Sequence, residues 1–200
     1  MLELRARFDE EANLEWKNEL EESGVKVLLG VSNVKVHAKI CLIKKRVNNR
    51  TIHYGFVSTG NLNEKTAKVY SDACLLTSDR NIMADVNRIF NYLEQPKTRI
   101  ALLESCKTLI VSPTGMRRQL MLLVDKEIKM ARLKKSAAIT LKLNSLSDEI
   151  LIDKLYEAAK AGVKIKMIIR GIFCLLTENK KFKHLCRPSA LLMSTWSIPV

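Results

Sequence analysis

The sequence predicts an α/β protein: a mixed β-sheet flanked by helices, with one nearly complete unit followed by the start of a second. Three observations carry this. Apolar residues recur at helical spacing in several segments that end at Gly or Pro. Short β-branched or apolar runs lie between those segments. One helix-stop-to-strand passage occurs twice, at 22–27 and at 160–165.

The N-terminal helix comes first. Asp9, Glu10 and Glu11 provide an N-cap and an acidic first turn ahead of Ala12, Trp16 and Leu20, with Gly24 as the stop. A strand is expected over 25–29, then two more over 36–43 and 51–58. The turn at 45–50, with Asn48-Asn49 at its centre, makes the last two a hairpin. Ile82, Val86, Ile89, Phe90 and Leu93 form an apolar stripe closed by Pro96, and Leu120, Leu123, Val124 and Ile128 form another. A strand at 139–143 precedes a helix capped by Ser147, with Asp148 and Glu149 next, which runs through Leu151, Leu155 and Ala159 to Gly162. The last strand covers 163–169. The echo between Gly24-Val25-Lys26-Val27 and Gly162-Val163-Lys164-Ile165 points to two related units, the second beginning near residue 137, and to a first unit that starts partway through its fold.

Composition narrows the function classes. At 200 residues and 47% hydrophobic the chain can bury a core, and no apolar run has the length of a membrane span. No signal peptide is visible, so a soluble, cytoplasmic protein is expected. The five cysteines, at 41, 74, 106, 174 and 186, form no Cys-x-x-Cys pair, and are read as structural core thiols rather than a zinc site or disulfide framework. The net charge of +13 is uneven: residues 1–30 carry −4 and residues 31–200 carry +17. A field of that sign favours polyanionic partners such as nucleic acid, anionic lipid, nucleotide or polyphosphate.

Chemistry concentrates around two strands. In a strand over 36–43, His37 and Lys39 project on the same side of an otherwise apolar segment. A lysine there needs an anion or solvent, since an unpaired buried charge is costly. The next strand ends at Ser58-Thr59-Gly60-Asn61, where Gly permits a tight turn that sets hydroxyls and N–H groups beside the histidine. A nucleophile, a cation and hydrogen-bond donors around one phosphate would result. Taken singly, each feature also has an ordinary reading, as a hydrogen-bonded strand histidine or a polar hairpin end. His53 is read as structural or exposed, and His184 is unassigned.

His-x-Lys, a hairpin and a Gly-Asn turn resemble the phospholipase D-like phosphoryl-transfer superfamily. Within it, the segments 7–13, 36–39, 58–72, 140–144 and 170–171 resemble the polyphosphate kinase family, from the start to about residue 178. The aspartate usual seven residues after the histidine is replaced by Lys44, which argues against a hydrolase. The resemblance implies reversible transfer of the ATP γ-phosphate to inorganic polyphosphate through a phosphohistidine, with Mg²⁺ and ADP as product. It matches His37 to the phosphorylated histidine, with Lys39 and Asn61 beside it. It matches Arg7 to a magnesium and phosphate site, and Tyr70 and Arg170 to nucleotide contacts. The plainer alternatives are an Arg7 pair with Glu10 or Glu11 and a core role for Tyr70. For the whole enzyme the resemblance extends to homo-oligomers and peripheral membrane association; it implies no specific nucleic acid.

The resemblance divides the chain into a first phospholipase D-like domain at 1–135, the start of a second at 136–181, and an unmatched tail at 182–200 read as a frameshift or misjoined frame. A further histidine that the family carries in its second unit is absent. The chain is therefore expected to be inactive alone, its strand at 163–169 to lack cover, and the protein to be poorly soluble. The alternative functions are a non-catalytic nucleotide- or polyphosphate-binding module and a basic nucleic-acid-binding phospholipase D-like domain.

Overall fold

The computed structural model describes residues 10–32 and 34–176. Arg7, His184 and the tail at 182–200 lie outside them. The chain divides into two compact units, one up to Thr114 and one from Gly115. The boundary falls earlier than the expected 135/136 because the helix between those points packs with the strand and the helix beyond it.

The first unit opens with α1 (Glu10–Glu22). Its stop is a Schellman cap: Gly24 adopts φ +78°, Gly24 N–H donates to the Glu21 carbonyl and Val25 N–H to that of Leu20. Trp16 is 57% exposed, so the expected stripe on α1 is not a buried one. Segment 25–29 does not form the expected strand. Within it only Leu29 makes a bridge.

The hairpin starts later than expected, as β1 (Lys39–Val47) and β2 (Arg50–Ser58). Val47 pairs with Arg50, which leaves a two-residue loop in which Asn48 and Asn49 both take positive φ, 46° and 60°. That is the mirror-image turn whose twist matches the strands, and asparagine tolerates it better than most residues. A four-residue turn of helix, α2 (Glu64–Ala67), leads to a strand the sequence did not announce, β3 (Cys74–Thr77), antiparallel to β2. Sheet order is β1-β2-β3.

Helix α3 (Arg80–Glu94) packs against β1 and β2. Asp79 caps it, accepting the N–H groups of Asn81 and Ile82 at 2.9 Å each, an arrangement worth about 1 kcal/mol. Met83, Val86, Tyr92 and Leu93 are buried on its inner side, and Leu103 of the short α4 (Ala101–Glu104) joins them.

In the second unit, α5 (Met116–Arg132) and α6 (Glu149–Lys160) cover one face of a parallel pair, β4 (Ala138–Leu143) and β5 (Lys164–Ile169). The N-cap of α6 is Asp148 rather than Ser147, and it accepts Leu151 N–H at 3.0 Å. Ile128, Ile152, Leu155, Ala158, Val163 and Ile165 form the core. Each fully buried aliphatic side chain of the larger kind contributes about 1.5–3 kcal/mol. The expectation that 163–169 would lack cover is corrected for this face: Ile165, Met167 and Ile169 belong to the core cluster. The second Gly-Val passage is again a Schellman cap, with Gly162 at φ +94° and Val163 N–H on the Ala158 carbonyl. The sequence echo is thus a repeated helix stop that leads into a strand only in the second unit.

Two of the expected core thiols are exposed, Cys74 on the short edge strand β3 and Cys174 after β5. All four described cysteines are free. No helix of the described residues is long and apolar enough to cross a membrane.

Candidate functional site

His37 lies just before β1, in irregular chain, and Lys39 is the first residue of that strand. The expected side-by-side strand placement is corrected, yet the two side chains do meet. Lys39 Nζ lies 2.9 Å from His37 Nδ1 and 3.3 Å from Nε2, and donates to the His37 carbonyl oxygen at 2.8 Å. The lysine therefore folds back over its own neighbour instead of keeping to the strand's alternation.

The environment favours the uncharged imidazole. Partial burial depresses the His37 pKa below its ordinary value, and the positive charges of Lys39 and Lys35 depress it further. A cavity of about 580 Å³ opens beside the ring, with mostly apolar walls that include Val36, Ile40, Val57 and Pro113. Burial also lowers the Lys39 pKa, against the pull of the Asp72 carboxylate, and Lys35 lowers it again.

Asp72 belongs to a latch that the sequence reading did not single out. Beyond β2, Thr59 N–H donates to the Ala73 carbonyl at 3.0 Å, and Ala73 N–H donates to Thr59 Oγ1 at 3.0 Å. Thr59 Oγ1 donates to Asp72 Oδ1 at 3.1 Å, and Gly60 N–H donates to Ser58 Oγ at 3.1 Å. A side chain at Gly60 would run into the Asp72 carboxylate, with its Cβ only 2.6 Å from Oδ2. Gly60 is therefore required by close approach. The turn's hydroxyls hold the loop neck closed, and Asp72 faces the lysine electrostatically.

The other predicted residues are less gathered. Asn61 is exposed in the turn after Gly60. Tyr70, 46% exposed on the loop before β3, is not a core aromatic. Arg170 is exposed directly after β5, at the C-terminal end of the parallel pair, where its N–H donates to the Leu143 carbonyl at 3.4 Å. His53 sits within β2 opposite Lys44, which occupies the position of the missing aspartate and is exposed in β1. Among the described residues no three His, Cys, Asp or Glu side chains are grouped to hold a metal ion. Asp72, the carboxylate nearest in effect to Lys39, is already bonded by Thr59.

A second acidic residue was missed altogether. Asp85, fully buried on α3, accepts the N–H groups of Lys107, Thr108 and Leu109 at 3.0, 2.7 and 3.0 Å, and pairs with Arg88. Burial pushes its pKa up, but the three N–H donors and the guanidinium outweigh that and hold the carboxyl below the usual range. Asp85 thereby fastens the segment leading to 109–113, which lines the cavity beside His37.

Comparison with known proteins agrees with these features. A family model described as polyphosphate kinase C-terminal domain 1 matches residues 1–99, and one for C-terminal domain 2 matches residues 109–192. The chain is 47% identical over 176 residues to the polyphosphate kinase of Vibrio vulnificus strain YJ016, covering 88% of this chain and 25% of that protein. It is 43% identical over 179 residues to that of Escherichia coli K12, covering 90% and 25%. The crystal structure of polyphosphate kinase from Porphyromonas gingivalis matches with a TM-score of 0.75 at 34% identity, over 93% of this chain and 30% of that one. The chain spans about a quarter of the length of the curated relatives it matches. On its sequence and its mixed α/β fold, the chain belongs to the polyphosphate kinase family.

Proposed function

We propose that this chain is the part of a polyphosphate kinase that accepts a phosphoryl group from ATP on His37. The observation that carries the reading is the His37–Lys39 contact, a largely neutral imidazole with an ammonium group 2.9 Å away. In the first step an unprotonated ring nitrogen attacks the γ-phosphorus. The N–P bond forms, the bond to the β-phosphate oxygen breaks, ADP leaves with that electron pair, and the other ring nitrogen releases its proton to water. In the second step a terminal oxygen of inorganic polyphosphate attacks the same phosphorus, the N–P bond breaks with its electron pair returning to the ring, and the other ring nitrogen regains a proton from water. Such transfer depends mainly on alignment and charge neutralisation.

Lys39 has two positions to fill in this sequence. A ring nitrogen that accepts its hydrogen bond has its lone pair occupied, so Lys39 must move from the ring to a phosphate oxygen as the phosphoryl group arrives. Its second bond, to the His37 carbonyl, keeps the ammonium within reach. Tyr70, exposed, would stack on the base, and Asn61 would donate to phosphate. Within the second unit, Arg170, exposed at a strand C-terminus, is suited to bidentate binding of a phosphate group.

The test is incubation of the chain with Mg²⁺ and γ-labelled ATP, with the His37→Ala variant alongside. Complete turnover is expected to need more than this chain, but the first half-step involves only nucleotide and His37, so acid-labile protein phosphate present in the parent and absent from the variant is expected. Folded chain that takes no label would instead favour a module that binds nucleotide or polyphosphate without transferring phosphate.

A further inference from the structure

In the second unit, the described residues cover the parallel pair on one face only. The register aligns Ala138 with Lys164, Thr140 with Lys166 and Lys142 with Ile168, so these six residues share one side of the sheet. All six are exposed, whereas the alternate residues Ile139, Leu141, Ile165, Met167 and Ile169 pack into the core. Parallel strands ordinarily read as continuous apolar runs because both faces are covered. Here the pattern is alternating, with lysine at three of the six outward positions.

Those three lysines differ from Arg117, Arg132 and Lys154 on the unit's helices. There, Lys154 pairs with Asp125 and Glu157, Arg117 with Asp148, and Arg132 with Glu157. Among the described residues no carboxylate pairs with Lys142, Lys164 or Lys166. Lys164 and Lys166 stand about 6.6 Å apart along β5, by the two-residue rise of a strand. Lys142 is the diagonal neighbour of Lys166 toward the strand ends, where Arg170 continues the chain beyond β5. Small neighbours, Ala138 and Thr140, leave the strip beside Lys164 and Lys166 low and open.

We infer that this face holds a linear inorganic polyphosphate chain, with Lys164, Lys166 and Lys142 neutralising phosphates along a path that ends near Arg170. The inference rests on the family reading above and adds a substrate track to it. A single-stranded nucleic acid fits less well. The face offers no aromatic ring on which a base could stack, and lysine is a point charge rather than a planar fork.

The experiment titrates the full 200-residue chain with short linear polyphosphate at several salt concentrations. The triple variant K142Q/K164Q/K166Q is compared with K126Q/K129Q/K135Q, which removes the same charge from α5 and the turn after it. The sheet variant should bind at least about tenfold more weakly, with a salt dependence lower by about two to three phosphate contacts, and the helix variant should change little. A K142R/K164R/K166R chain, which keeps charge and strand, should retain binding, so a folding defect cannot imitate the result. Equal losses in both glutamine variants would overturn the track in favour of a diffuse field. An equal loss of oligothymidylate binding in the sheet variant would overturn it in favour of a nucleic-acid surface. Labelling by γ-labelled ATP is measured in the same sheet variant, where label retained with polyphosphate binding lost is expected, so loss of labelling and loss of the track are read separately.

Discussion

At the scale of single residues, the chemistry depends on which proton sits where. Partial burial, with Lys39 and Lys35 behind it, lowers the His37 pKa, so the neutral imidazole is favoured in the folded chain. The sign is direct: a histidine with a depressed folded pKa resists protonation, and its effect on stability is unfavourable only below its unfolded value of about 6.5. Titration of the ring by NMR should therefore give a midpoint below that value, and Lys39→Met should move it upward. A midpoint at or above the ordinary value would show that the ring is freely solvated. The pairing itself was legible because His-x-Lys stands in an apolar run. The reason expected for it was wrong, since Lys39 reaches His37 by folding back before the strand begins. Asp85 was not legible at all. An acidic residue beside Ile82, Val86 and Ile89 reads as a solvated helix position, and nothing local announces the three distant N–H groups that it accepts.

At the scale of elements, that carboxylate ties α3 to the segment after α4. Its folded pKa lies below the unfolded one, so its stabilising effect is present above about pH 4 and lost as pH falls through the folded value. Asp85→Ala leaves three N–H donors and Arg88 without their acceptor and is expected to cost about 3–5 kcal/mol. Urea unfolding of the two chains at neutral pH would measure it, and amides 107–109 should lose their hydrogen-exchange protection. Unchanged protection there would mean that other contacts hold the segment. The hairpin was read well because Asn48-Asn49 states its own turn type. Strand β3 was missed because its four residues are mostly exposed, so no alternation marks it. The run at 25–29 was over-read for the opposite reason, since β-branched residues express a preference that only a neighbouring strand can satisfy.

At the scale of the whole molecule, apolar surface is left without cover. Leu75 and Leu76 on edge strand β3 are 53% and 78% exposed, and a short apolar edge is a template for pairing with another chain. The chain is accordingly expected to self-associate with rising concentration in sedimentation experiments. Leu76→Lys should shift it toward monomer by placing a charge on that edge. A parent chain that stays monomeric throughout would remove the reason for the substitution. The positive field of the sequence, in contrast, carried only a class of partner. Which lysines share one sheet face became visible once β4 and β5 were set in register.

The neck formed by Thr59, Asp72 and Ala73 has an entropic consequence. Asn61 and Tyr70 both belong to the stretch that the neck closes. Bringing the ends of a flexible loop together costs conformational freedom, and here that freedom is surrendered when β2 pairs with β3, before any nucleotide arrives. A ligand meeting Asn61 and Tyr70 would encounter a ring already closed, so the cost of joining its ends falls on folding rather than on binding.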